Sequence, residues 1–162
     1  MPSAKLKGFL DANHIKYVCI EHSPAFTAQE IASIAQISGR TLAKTVMFFI
    51  DDRLAMAVVP AAMRVSLSHL KELAHGSVIT LANEQEFRDA FPDCETGAMP
   101  PFGSLYHMPV YIDTRLCDGD IVFNAGSHRE LIRMEFADFE KIVRPIAGRF
   151  AVPSEDLVAT AG

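Results

Sequence analysis

The sequence lacks the features that mark several common classes of protein. Its three cysteines, Cys19, Cys94 and Cys117, are odd in number and scattered, and no Cys-x-x-Cys pair occurs, so neither a disulfide framework nor a structural zinc site is indicated. No apolar run approaches the roughly 18 residues of a membrane span. Residues 1–10 lack the long apolar core of a secretory signal. We therefore expect a cytoplasmic protein with no membrane partner.

The chain also lacks an excess of positive charge. It carries 15 basic and 20 acidic residues, for a net charge of −5. A large nucleic-acid footprint usually needs a basic face, so this balance argues against DNA as a partner while remaining compatible with contact to one nucleotide end. The 162 residues, of which 49% are hydrophobic, fit a single domain over 1–162 with a sizeable core.

Helical and strand patterns interleave along the chain. The apolar runs 45–50 and 54–59 flank Asp51-Asp52-Arg53, which is a hairpin signal. Predicted helices cover residues 3–13, the segment from Thr27 to near Gly39, the segment that Ser66 opens, 83–91 and 136–143. Further strands are predicted at residues 17–20, 110–112, 121–123 and 131–134. Because hairpins occur beside strand–helix alternation, we expect an α/β (α+β) fold with a mixed sheet.

The segment 91–103 is the most informative stretch of the sequence. Two glycines and three prolines there enclose Cys94, Met99 and Phe102. Proline fixes φ and lacks an N–H, whereas glycine can take positive φ, so the pattern predicts a stiff loop. The stretch is too apolar for a linker. We interpret it as a pocket wall that offers backbone donors to a small ligand.

Lys44 stands at the start of an otherwise apolar strand. One interpretation is an edge lysine whose ammonium reaches solvent, and this is the more common case. The other is a cation directed into a cleft, where it binds a phosphate or stabilises an oxyanion.

A second polar segment, 124–128, follows a predicted strand and contains a glycine turn. It would present the Ser127 hydroxyl, the His128 imidazole and backbone N–H groups, or it is a structural turn with an exposed histidine. A Ser-His nucleophilic pair is not indicated, because adjacent residues rarely face each other and no Gly-x-Ser-x-Gly elbow occurs. His22 precedes a helix, and either binds a ligand or ends the strand.

Neither a cysteine nucleophile nor a metal site is favoured. Cys94 lies between Asp93 and Glu95, and negative neighbours raise the pKa of a thiol. No His-Glu-x-x-His or other paired-ligand spacing supports a metal cluster.

From about residue 17 to 145, the chain resembles the YbaK/EbsC family. This family includes the inserted editing domain of bacterial prolyl-tRNA synthetases and free-standing trans-editing proteins. The resemblance is carried by His22-Ser23-Pro24 with Thr27, Lys44, the loop 97–103 with its Gly-x-x-x-Pro pattern, and the turn 123–128. The order and spacing of these marks are more specific than any one of them. Asp93-Cys94-Glu95 falls outside the family signature, and we interpret it as the mark of a subgroup.

The resemblance implies a free-standing deacylase with a twisted, barrel-like sheet flanked by helices. Its substrate would be the ester that joins a small wrong amino acid (alanine, cysteine, serine or threonine) to the terminal adenosine of a tRNA, often proline tRNA. No metal or cofactor is implied, and an aminoacyl-tRNA synthetase is a possible partner. The ribose 2′-hydroxyl would help to activate water, so an obvious protein base is not required.

The resemblance also implies roles for individual residues. Lys44 would engage the terminal nucleotide, and the backbone of Gly97, Ala98 and Met99 would stabilise the oxyanion. The predicted substrate-binding residues are His22, Pro100, Pro101, Phe102, Gly126, Ser127 and His128.

Three alternatives remain open at this point. The same pocket would serve a non-catalytic module that binds an aminoacyl nucleotide or a partner protein. A hydrolase of another small ester or thioester would use Cys94 or His128. A metalloenzyme is the least favoured.

Overall fold

The computed structural model describes residues 4–21, 42–76, 78–95 and 97–153. Within these ranges the chain forms ten strands and four α-helices. In chain order they are α1 (Ala4–Ala12), β1 (Tyr17–Glu21), β2 (Ala43–Ile50), β3 (Arg53–Pro60), β4 (Met63–Val65), α2 (Leu67–Ala74), β5 (Ile79–Leu81), α3 (Glu84–Phe87), β6 (Val110–Asp113), β7 (Asp120–Asn124), β8 (Glu130–Glu135), α4 (Phe136–Val143), β9 (Ile146–Gly148) and β10 (Ala151–Pro153). Short 3₁₀ helices lie at Arg88–Ala90, Gly103–Leu105 and Thr114–Leu116.

The strands form three sheets. The largest has the order β5-β2-β3-β6-β9, in which β2 and β3 are antiparallel while β3 and β6 run parallel. The second is the antiparallel sheet β1-β8-β7, and the third pairs β10 with β4. The predicted mixed α/β fold is therefore confirmed. The barrel-like closure is not observed, because the edge strands β5 and β9 of the largest sheet do not pair with each other among the described strands.

The β2–β3 hairpin confirms the turn predicted at Asp51-Asp52. Ile50 pairs with Arg53, so the loop has two residues, and both take positive φ (47° and 72°). Positive φ at both central residues is the type I′ geometry, which matches the twist of the flanking strands. The Asp51 carboxylate also accepts the Val78 N–H at 2.8 Å, which ties the turn to the start of β5.

Two apolar clusters cover opposite faces of the central strands. The larger joins α1 and α4 to the sheets through Leu6, Leu10 and Phe139, all fully buried. The smaller contains Phe48 of β2, Leu70 of α2 and Phe150. Alternate residues of β2 therefore face different clusters, as strand geometry requires.

The predicted elements that fall on described residues are present. Strand β8 and helix α4 follow the predicted ranges closely, whereas the helix predicted over 83–91 changes to 3₁₀ geometry after Phe87. The strands near residues 110 and 121 lie in different sheets. The predictions missed β4, β5, β9 and β10, since three residues are too few to show alternation. The helix predicted from Thr27 lies outside the described residues. In the part of the chain that the structure describes, no helix has the length and apolar character to cross a membrane.

Candidate functional site

A parallel bridge places the start of β2 beside β7. Leu42 pairs with Val122 in an isolated bridge, and the two side chains pack with Leu131. Lys44 and Asn124 each lie two residues beyond this bridge in the same direction. Because successive side chains of a strand alternate, Lys44 and Asn124 stand on the same faces as Leu42 and Val122. Strand β2 thus places Lys44 toward the C-terminal end of β7, where residues 124–128 begin.

Hydrogen bonds join the loop of residues 97–103, here the glycine loop, and Glu95 just before it to residues 124–128, here the Asn124 turn. The Glu95 N–H donates to the Gly126 carbonyl at 2.8 Å, and the Gly126 N–H donates to the Ala98 carbonyl at 2.8 Å. The His128 N–H donates to Glu95 Oε1 at 2.7 Å. Two sequence motifs about thirty residues apart therefore share one location.

Gly97 faces the His128 ring at this junction. Gly97 takes φ +85°, and a Cβ there would lie 3.5 Å from His128 Cε1 and 3.7 Å from Nε2. The Ala98 N–H donates to the Glu95 carbonyl at 3.0 Å, which closes a tight turn with glycine at its third position. Glycine at that position is the residue that a positive φ favours. The exposed edge of the glycine loop thus faces the imidazole ring.

The remainder of the glycine loop is buried. Ala98, Met99, Pro100 and Pro101 are all inaccessible to solvent or nearly so. The Phe102 ring is fully buried, with ring centroids 5.3 Å from Phe123 and 5.4 Å from Phe139. The Phe102 ring therefore anchors the loop to the core, and a substrate-binding role for these buried residues remains a prediction.

The loop has few backbone donors to offer. Pro100 and Pro101 have no N–H. The Ala98 N–H is already used by the Glu95 carbonyl, and the Gly97 N–H donates to the Met99 thioether at 3.3 Å. Sulfur is a weak acceptor, so an oxyanion would compete well for the Gly97 N–H. No described residue accepts the Met99 N–H. The candidate oxyanion donors are therefore Gly97 and Met99 rather than all three residues.

Lys44 is partly buried on β2, where it pairs in register with Val59. Burial lowers the pKa of its ammonium. No ion pair joins Lys44 to any acid of the described ranges. An ammonium in such surroundings is available for a phosphate or a developing negative charge.

The other predicted site residues divide into exposed and structural ones. His128 is exposed, whereas Gly126 is buried at φ +98°. Ser127 is also buried, and its Oγ accepts the Arg129 N–H at 3.0 Å, so the hydroxyl stabilises the Asn124 turn. His22 lies outside the described residues.

Sequence reasoning missed the role of Glu95. We expected its charge to act on the neighbouring Cys94 thiol, but its carboxylate bonds the His128 N–H instead. Burial raises the pKa of Cys94 and Asp93 adds to the rise, whereas the hydrogen bond with Tyr106 opposes it. The only sequence signal for this contact was the position of Glu95 two residues before Gly97. That position became informative only when the structure placed the Asn124 turn beside the glycine loop.

Two further observations bear on ligands. Among the described residues, no group of three His, Cys, Asp or Glu side chains is placed to hold a metal ion. A cavity of about 640 Å³ lies at the opposite end of β2 from Lys44, and its lining includes Arg53, Tyr106 and His107. None of the predicted site residues that the structure describes lines this cavity.

The structure thus defines a mixed α/β domain with a candidate site where the glycine loop meets the Asn124 turn. Comparison with known families is more specific. The family model of the aminoacyl-tRNA editing domain matches residues 22–142, which is most of the chain, and the chain belongs to this family. The resemblance to YbaK-type domains is thereby confirmed.

The curated relatives are much longer proteins. The chain is 30% identical over 133 residues to the proline–tRNA ligase of Bacillus subtilis (strain 168), covering 75% of this chain and 23% of that protein. It is 31% identical over 93 residues to the proline–tRNA ligase of Geobacillus sp. (strain WCH70), covering 57% of this chain and 16% of that protein. The chain thus spans less than a quarter of the length of either ligase.

Solved structures show the same fold at low sequence identity. The chain superimposes on a candidate trans-editing enzyme for prolyl tRNA synthetase with a TM-score of 0.80 at 20% identity, covering 93% of this chain and 97% of that one. A protein described as hypothetical gives a TM-score of 0.81 at 18% identity, covering 91% and 99%.

Proposed function

We propose that this protein hydrolyses the ester bond of mischarged aminoacyl-tRNA in the cytoplasm. The supporting observation is the hydrogen-bonded junction of the glycine loop and the Asn124 turn beside β2, in a chain of the editing-domain family. Its two curated relatives are proline–tRNA ligases, which supports proline tRNA as the carrier. A prolyl-tRNA synthetase is the partner that we propose for delivery of the acceptor end.

Each reacting group has a candidate partner. Lys44 would bind the phosphate or the terminal nucleotide as a point charge, without forming a covalent intermediate. The N–H groups of Gly97 and Met99 would stabilise the tetrahedral oxyanion. The 2′-hydroxyl of the terminal ribose would orient the water that attacks the ester carbonyl carbon. As the bond between that carbon and the ribose oxygen breaks, the ribose oxygen takes one proton of the water, and the other proton passes to solvent as the carboxylate is released. We propose that no metal takes part.

The proposed substrates carry small amino acids: alanine, cysteine, serine or threonine. A Cβ at Gly97 would lie at van der Waals distance from the His128 ring, so the space between the two residues is only about as wide as a methyl group. Each additional methylene would change transition-state binding by only about 1–3 kcal/mol, so we expect a graded preference rather than absolute selection.

The test is deacylation of tRNAs charged with alanine, cysteine, serine, threonine and proline. We expect the wild type to hydrolyse one or a few mischarged species. Lys44→Ala should lower kcat/KM by roughly 10- to 150-fold, because a hydrogen bond to a charged group contributes about 1.5–3 kcal/mol. The exposed Lys71 of α2 provides the matched control, and Lys71→Ala should retain the wild-type rate.

Two outcomes would contradict the proposal. Binding of mischarged tRNA without hydrolysis of any species would indicate a non-catalytic module. Loss of activity in EDTA, restored by a divalent cation, would contradict the metal-independent mechanism while leaving deacylation intact.

A further inference from the structure

Glu95 contacts both halves of the candidate site. Its N–H donates to Gly126, and its carbonyl accepts the Ala98 N–H. Its Oε1 accepts the His128 N–H at 2.7 Å. The first two bonds use only the backbone, so almost any residue would form them. The third bond, from the His128 N–H to Glu95 Oε1, requires an acceptor on a side chain as long as that of glutamate. It restrains the residue that carries the imidazole.

The carboxylate bond has properties that suit positioning. A distance of 2.7 Å lies in the short range of charge-assisted hydrogen bonds, which are roughly twice as strong as neutral ones. His128 is exposed, so its backbone is not fixed by burial. Without the carboxylate, water would satisfy the N–H and the His128 peptide would lose one restraint on its orientation. The ring would then be held less firmly in its position facing Gly97.

The charge of the Glu95 carboxylate is not neutralised by a neighbouring cation in the described part of the chain. No cation of the described ranges forms an ion pair with Glu95. Asp93, two residues earlier and also exposed, makes no side-chain hydrogen bond to the described part of the Asn124 turn. Asp93 and Glu95 therefore carry the same charge close together in the chain, but of the two only Glu95 forms a hydrogen bond with His128. This pair offers a matched comparison.

We propose that Glu95 is a positioning residue that holds His128 against Gly97 in the arrangement needed for hydrolysis. This inference rests on the proposed function. Glu95 acts through the backbone of His128 and does not touch the substrate. Since Lys44 and the buried part of the glycine loop are independent of this bond, its loss should affect turnover more than binding.

The experiment compares Glu95→Ala, Glu95→Gln and Asp93→Ala. Hydrogen exchange of the His128 amide is measured in the free protein, and kcat and KM are measured on the mischarged tRNA that the wild type hydrolyses. Glu95→Ala should speed His128 exchange roughly tenfold, because its acceptor is lost. It should lower kcat by roughly 10- to 100-fold, as small misplacements of reacting groups do, with KM within about threefold. Glu95→Gln should recover most of both properties, because its amide oxygen accepts from the same N–H. Asp93→Ala should match the wild type.

The inference is overturned if Glu95→Ala matches Asp93→Ala in both exchange and kcat. It is equally overturned if Glu95→Gln is as impaired as Glu95→Ala, since charge rather than orientation would then be responsible. Failure of the proposed function has a different signature, namely a wild type that hydrolyses none of the tRNAs. In that case the exchange rates alone decide whether Glu95 holds His128. Thermal unfolding of each variant shows whether the fold is retained.

Discussion

The carboxylates of Asp113 and Glu95 both accept hydrogen bonds from distant segments of the chain, but one is buried and the other is exposed. Asp113 is fully buried and accepts five hydrogen bonds from three residues: three from Arg115, one from the Phe150 N–H at 3.0 Å and one from the Ala151 N–H at 2.8 Å. Glu95 is exposed and accepts one, from His128. Each ties together segments more than thirty residues apart.

The two carboxylates differ in what happens to the N–H groups that they accept from when the carboxylate is removed. Without Asp113, the amides of Phe150 and Ala151 would be left unsatisfied beside the core, a cost of about 1–3 kcal/mol for each. Without Glu95, water would satisfy the His128 N–H at little cost. We therefore expect the buried carboxylate to determine stability and the exposed one to determine the geometry of the site.

Asp113→Ala should lower the free energy of unfolding by about 3–5 kcal/mol, as removal of one partner from a buried charged network does. Urea unfolding measures the effect. The exposed Asp118 supplies the control, and Asp118→Ala should change stability by less than about 0.5 kcal/mol. If Asp113→Ala lowers the free energy of unfolding by less than about 1 kcal/mol, the buried carboxylate does not determine stability.

The two glycines of the glycine loop should respond differently to alanine. A Cβ at Gly103 would lie 2.0 Å from the Met108 carbonyl oxygen, so Gly103→Ala should cost about 3 kcal/mol or more of stability. Gly97→Ala meets only ordinary contacts with His128, and its positive φ should cost about 1–2 kcal/mol. Its main effect should be on deacylation, because the added methyl fills the space between the loop and the His128 ring. Equal stability losses in urea unfolding would contradict this contrast.

Acid should destabilise the fold through Asp113. Burial alone would raise the pKa of this carboxyl, but hydrogen bonds from the Arg115, Ala151 and Phe150 amides and from the Arg115 guanidinium lower it below its ordinary value of 3.8. A depressed folded pKa contributes stability that is present above the unfolded pKa and is lost as the pH falls through the folded pKa.

This contribution is measured by urea unfolding of the wild type and Asp113→Asn at a series of pH values. We expect the stability difference between the two proteins to shrink as the pH falls below about 4. A difference that stays constant down to pH 3 would show that the Asp113 pKa is not depressed by folding.

Cys94→Ser should change deacylation by less than about twofold. Burial raises the pKa of the thiol, so little of the nucleophilic thiolate is present at neutral pH. Deacylation rates of the variant and the wild type provide the measurement. A large loss of activity in a variant that unfolds at the wild-type temperature would support the alternative of a cysteine hydrolase.

Local patterns predicted most elements but not their arrangement. Helix α4 and the β2–β3 hairpin follow from periodicity and turn residues, which are properties of short segments. The separation of β6 and β7 into different sheets depends on pairings between distant strands, for which one sequence carries no direct signal.

The candidate site shows the same limit. Lys44, Gly97 and His128 were identified from local features and from a family resemblance. The link through Glu95 was not, because it depends on the Asn124 turn lying beside the glycine loop. The substrate-binding role of Phe102 stays a prediction. The packing of its ring against Phe123 of β7 and Phe139 of α4 depends on distant elements and could not be predicted from the sequence.

The central claim is that Lys44, the glycine loop and the Asn124 turn form one site for the aminoacyl end of tRNA. The most direct measurement is an NMR titration with an adenosine that carries alanine through a non-hydrolysable 3′-amide. Our account predicts that the backbone resonances of Lys44, Gly97 and His128 shift together along one binding curve. Shifts confined instead to Arg53, Tyr106 and His107, around the cavity at the other end of β2, would contradict it.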